Sequence, residues 1–85
     1  MKTFEYTIKD EVGIHARPAG LLVKEVKEYA STVTINFNGK KADATKLMAV
    51  MMLGVKHGST VEVTVEGADE DEACDKLKTF FENNL

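Results

Sequence analysis

Ser31-Thr32-Val33-Thr34-Ile35-Asn36-Phe37-Asn38-Gly39-Lys40-Lys41-Ala42-Asp43 is the stretch that decides the fold. Val33, Ile35 and Phe37 alternate with polar neighbours, so Ser31–Asn38 reads as a strand with one buried face. Asn38-Gly39 follows, and these two residues accept the positive φ angles of a tight hairpin turn. A short strand over Lys40–Asp43 therefore folds back on the first. One face of such a hairpin is wet, and the other needs a covering layer.

The rest of the chain supplies that layer and two more strands. Phe4, Tyr6 and Ile8 alternate with Thr3, Glu5 and Thr7. From Thr60 onward, Val61, Val63 and Val65 alternate with Glu62, Thr64 and Glu66. Both segments read as half-buried strands. Ala19, Leu22, Val23, Val26 and Ala30 recur at helical steps and predict an amphipathic helix over residues 16–30. Pro18 falls in its first turn, where a missing N–H costs nothing. Thr45–Leu53 reads as a short helix stopped at Gly54. Its apolar residues cover more than one face, so at least two of Leu47, Met48, Met51 and Met52 should be exposed. Asp69 and Glu72 have the spacing of a capping box. Ala73, Leu77, Phe80 and Phe81 give the buried face of a last helix. The order strand, helix, strand, strand, helix, strand, helix predicts an α+β fold. Its four-stranded, mostly antiparallel sheet is covered on one face by three helices. Residues 1–85 read as one domain without linker, repeat or low-complexity segment.

Composition sets the outer bounds. With 44% hydrophobic residues among 85, the chain can build one modest core. No apolar run is long enough to span a bilayer, and no secretory signal pattern is present. The lone Cys74 has no internal partner and fits a reducing compartment, so a cytoplasmic location is expected. The net charge of −3 hides an asymmetry: residues 1–60 carry nine basic against six acidic side chains, and residues 61–85 carry two against eight. A mildly basic half favours an acidic or phosphorylated partner there, through steering more than affinity. No basic, aromatic-rich stripe suggests nucleic acid.

Gly13-Ile14-His15-Ala16-Arg17-Pro18-Ala19 carries the chemistry. Pro18 fixes the helix start just ahead of it and puts His15 at or beside the N-cap, with Gly13 easing the turn. A helix start offers free N–H groups and partial positive charge. The imidazolium form is disfavoured there, so a neutral, nucleophilic ring is expected. A phosphoryl group on that ring would meet the N–H groups near Ala16 and Arg17, and the Arg17 guanidinium suits its oxygens. Spacing alone fits equally a polar residue in a loop before a helix.

Other blocks bear on that choice. The His15 motif, Leu47-Met48-Ala49-Val50-Met51-Met52-Leu53-Gly54-Val55, Gly58-Ser59 and Val65-Glu66-Gly67-Ala68-Asp69-Glu70 stand in order along the whole chain. Together they resemble the histidine-containing phosphocarrier (HPr) family of the bacterial phosphoenolpyruvate-dependent sugar phosphotransferase system. The resemblance implies an open-faced sandwich with sheet order 1-4-2-3. It implies that His15 accepts a phosphoryl group at Nδ1 from phosphorylated enzyme I and donates it to sugar-specific IIA components. Arg17 would assist as a phosphate-stabilising residue, and the protein would be a phosphorylated intermediate between enzymes, not an enzyme itself. The second helix and the start of the first would dock both partners, through Gly20, Lys24, Leu47, Met48, Met51 and Met52. Methionines suit such a role because they adapt to several surfaces, although they also fill gaps in cores. Gly20 costs about 1 kcal/mol of helix propensity. Close approach of a partner and neutral variation explain it equally well.

One position departs from the family. Many Gram-positive members carry a regulatory serine at the start of the second helix, where this chain has Lys46. Lys46 lacks a hydroxyl and carries the charge opposite to phosphate, which argues against serine-based control. Thr45 has a hydroxyl but faces about 100° away on a helix. Lys46 instead suits an acidic partner surface.

Two other functional classes compete. A related carrier in a regulatory phosphotransfer branch would share the motif, and a pure binding module would use the second-helix patch with His15 incidental. His57 reads as a surface residue, and two histidines without a third ligand do not make a metal site. No cofactor is implied, and the expected form is a monomer.

Overall fold

The computed structural model describes residues 1–10 and 16–85. Four strands form one sheet: β1 (Lys2–Thr7), β2 (Thr32–Phe37), β3 (Lys40–Asp43) and β4 (Thr60–Glu66). Their order is β1-β4-β2-β3, and every pair is antiparallel. The helices are α1 (Ala16–Val26), α2 (Leu47–Met52) and α3 (Glu70–Asn84). The hairpin that opened the sequence reading forms as expected. Asn38 and Gly39 take φ of 51° and 78°, and Phe37 pairs with Lys40 across the turn.

Register keeps like with like. Phe4 stands opposite Val63, and Val63 opposite Ile35, which stands opposite Ala42. This row is buried, as are Val33, Val61 and Val65. On the other face, the alternate residues Thr3, Glu5, Glu62 and Lys41 are exposed. The buried face is covered by Ala19, Leu22 and Val26 of α1, Val50 of α2, and Ala73, Leu77 and Phe81 of α3. Phe81 is the aromatic centre. Its ring meets Phe4 at 5.6 Å, Tyr6 at 5.4 Å and Phe80 at 6.4 Å, all edge-to-face. Phe80 itself is only half-buried, at the margin of the core.

Three local expectations fail. The second helix starts at Leu47 and not at Thr45, which lies in the turn bonded to Asp43. The other two fail for one shared reason. The periodicity predicted α1 to Ala30, but the helix ends at Val26 and Ala30 is exposed. After a last helical bond from Lys27 N to Val23 O, Glu28 and Tyr29 donate to Glu25 O and Val26 O, each three residues back. The turn tightens and the helix stops. The capping box is also not made: Asp69 is the N-cap of α3 but gives it no side-chain bond. Its carboxylate instead accepts from Ala30 N (2.9 Å) and from Ser31 Oγ. One side chain thus ties the α1–β2 turn to the β4–α3 turn. Gly67 completes the seam. With φ of 156°, it lies so close that a Cβ there would fall 2.6 Å from Ser31 Cα.

Candidate functional site

α1 begins at Ala16, the residue after His15 in sequence. His15, its N-cap placement and Gly13 lie outside the described residues. In the first turn of α1, Pro18 is buried and Arg17 is exposed, as a first-turn proline with an outward neighbour requires. Gly20 is half-exposed, and a Cβ added there would meet nothing within 4 Å. Lys24 is exposed in the last turn.

α2 packs beside α1 and against β3. Its start is set by Asp43, whose Oδ1 accepts from Thr45 N (2.9 Å) and Thr45 Oγ1 (2.7 Å). These bonds, the hydroxyl first, hold the Asp43 carboxyl below the usual carboxylate range, and the nearby Lys46 charge adds to them. Lys46 N donates to Asp43 O, and Lys46 O then accepts the first helical bond from Val50 N at 3.1 Å. Lys46 is the exposed N-cap, with extended backbone and no side-chain cap bond. Gly54 stops the helix with φ of 70°, its N–H on Met51 O.

Between these ends α2 divides as its composition required. Val50 and Leu53 are buried, Met51 is half-buried, and Leu47, Met48 and Met52 are 39%, 68% and 76% exposed. Leu21 of α1 adds a further exposed apolar side chain at 43%, which the sequence reading did not single out. The signal was there: Leu21 precedes the buried Leu22 and Val23, and three successive residues cannot share one helical face. Large exposed apolar patches occur at sites that bind proteins, membranes or ligands. Arg17 and Lys24 of α1, Lys27 directly after it and Lys46 at the N-cap of α2 are exposed cations. No cluster of three or more metal-ligating side chains occurs among the described residues, and none of the described helices is long and apolar enough to cross a membrane. His57 is exposed in the 56–59 turn, where its Nδ1 lies 3.3 Å from Asp10 O.

A four-stranded antiparallel sheet under three helices, with exposed apolar side chains on the adjoining α1 and α2, defines an open-faced α+β sandwich. The model of the phosphorylation-site domain of the phosphotransferase system HPr component matches residues 2–83. The chain is 42% identical over 81 residues to phosphocarrier protein HPr of Lysinibacillus sphaericus, covering 95% of this chain and 92% of that one. It is 36% identical over 85 residues to phosphocarrier protein HPr of Mycoplasma genitalium, covering 99% and 97%. Among solved structures, HPr from Thermoanaerobacter tengcongensis superposes with a TM-score of 0.93 at 37% identity, over 99% of this chain and 94% of that one. The chain belongs to the HPr family, the phosphocarriers of the phosphotransferase system.

Proposed function

We propose that His15 is the phosphoryl acceptor of this carrier and that Arg17 stabilises the group once it is bound. In this reading Nδ1 of His15 attacks the phosphorus held by phosphorylated enzyme I. The N–P bond to the carrier forms as the bond to enzyme I breaks, and transfer to a sugar-specific IIA component reverses the step. The N–H groups of Ala16 and Arg17 serve as donors to the phosphate oxygens. Gly20, Lys24, Leu47, Met48, Met51 and Met52 make the docking surface, and Leu21 joins them. Lys46 stands where a serine switch would, so docking is not turned off by phosphorylation there, and the fixed cation favours an acidic partner.

The observation that carries the reading is the family match across residues 2–83, which spans His15 and Arg17 in a motif headed by Gly13. Exposure of Arg17 in the first turn of α1 supports it. The test is incubation with phosphoenolpyruvate and enzyme I, followed by mapping of the label. Acid-labile, base-stable phosphate on His15 is expected, and its absence in His15→Ala. Label elsewhere, or full sugar-transport function of His15→Ala in a reconstituted system, overturns the reading. Use of enzyme I from the sugar and regulatory branches in parallel shows which one this carrier serves.

The working form in this reading is a cytoplasmic monomer. HPr of T. tengcongensis has also been solved as a dimer, and Bacillus subtilis Crh as a domain-swapped dimer. Light scattering across a concentration series, with phosphorylation rate measured on each form, tests it.

A further inference from the structure

The oxidisable side chains of this protein are distributed unevenly. The one thiol, Cys74, is 4% exposed on the inner face of α3. Of the four methionines, Met51 is half-buried against the core, whereas Met1, Met48 and Met52 are all more than two-thirds exposed. Met48 and Met52 stand one helical turn apart, so their thioethers lie on the same outward face of α2. A peroxide in solution therefore reaches these two sulfurs, and Met1, before it reaches the thiol or Met51.

The chemistry that follows is specific. A hydroperoxide transfers one oxygen to the thioether: the O–O bond breaks, an S–O bond forms, sulfur is oxidised by two electrons and the peroxide is reduced to water or an alcohol. The product is a sulfoxide, polar and chiral, and thiol-dependent reductases return it to methionine. In a core this change disrupts packing. On an exposed helical face it leaves the fold intact and alters only what the face can bind. We propose that Met48 and Met52 form a reversible oxidation site through which hydroperoxides weaken partner docking. The inference rests on the assignment of α2 to the docking surface. It adds a control input at a helix whose N-cap, Lys46, has no hydroxyl to phosphorylate.

The experiment treats the full-length protein with hydrogen peroxide and follows each methionine by peptide mass spectrometry. Met48 and Met52 should gain one oxygen at rates close to that of Met1, ahead of Met51 and Cys74. The doubly oxidised protein should keep its unfolding midpoint. Its KM as a substrate of enzyme I should rise about tenfold with kcat unchanged, the loss expected when a mostly buried methionine contact becomes polar. Treatment with the two methionine sulfoxide reductases should restore KM. The double variant Met48→Leu, Met52→Leu keeps the volume but has no sulfur at these positions. Its own KM should be the same with and without peroxide.

Oxidation of Met51 or Cys74 before Met48 and Met52 overturns the proposal. So does an unchanged KM after both sulfoxides have formed. Met48→Glu separates two causes of that last result. If the glutamate raises KM and the sulfoxides do not, the oxidation site is wrong and the docking surface stands. If neither raises KM, the docking assignment falls with it.

Discussion

α2 and α3 are both helices laid on the same sheet, yet they solve opposite problems. α3 has fifteen residues and buries a clean stripe of Ala73, Cys74, Leu77 and Phe81. Most of the rest of its surface is charged or polar, with Lys76 and Glu72 paired at 2.8 Å one turn apart. α2 has six residues, no charged residue and only Val50 fully buried within its bounds. A helix that short cannot stand alone in water. It is held by its ends, through the Asp43–Thr45 turn before it and Leu53 and Gly54 after it. α3 thus spends its apolar residues on stability. α2 leaves half of its own, Leu47, Met48 and Met52, in solvent, where they are available to a partner.

The comparison breaks most sharply at Phe81. Phe81→Ala removes a fully buried ring with three aromatic neighbours. Chemical denaturation should show a loss of about 3–5 kcal/mol. A smaller loss would mean that α3 is not the main support of the sheet. Met48→Glu is the mirror experiment. At 68% exposure it should move stability by no more than about 0.5 kcal/mol, while raising KM with enzyme I about tenfold, or about 1.4 kcal/mol. A large stability loss instead would move Met48 from the docking face to the core.

The seam at Asp69 tests how α3 is joined to α1. The Ser31 hydroxyl, then the Ala30 N–H, hold the Asp69 carboxyl below its usual range. A carboxylate depressed in the folded state stabilises above its unfolded pKa, and the contribution is lost as pH falls through the folded value. Asp69→Asn should therefore be less stable than the parent at pH 7. The gap should close as pH is lowered past the ordinary carboxylate range, in denaturation curves taken at pH 7 and below pH 4. A gap that persists in acid would assign the effect to shape instead of charge. The smallest effect is expected at Gly20. The site is open, so Gly20→Ala should stabilise α1 by about 0.5–1 kcal/mol in thermal unfolding. A simultaneous rise in KM would show that a partner needs the missing methyl's space.

Legibility followed the range of the forces involved. The sheet, its hairpin and the buried faces rest on local alternation, and the resemblance of the His15 and Leu47–Val55 blocks added the strand order. The exposure of α2 could be read from its length against its apolar count. The end of α1 could not. Ala30 looks apolar and in register, and it is Asp69, 39 residues away, that draws the chain out of the helix. The same distant demand took Asp69 from its capping box, although the local spacing was correct. The exposure of Leu21 was legible by the same rule as that of α2, because Leu21, Leu22 and Val23 cannot all share one buried face of α1.

The contact of Gly67 with Ser31 has a consequence in time. It joins turns far apart in the chain, one step beyond the Thr32–Glu66 pair of β2 and β4. Interactions made late in folding govern how fast a protein comes apart more than how fast it forms. A seam that forms late would therefore act as a latch on the lifetime of the folded carrier. In stopped-flow kinetics, Gly67→Ala should steepen its rate of loss while leaving the refolding limb nearly in place.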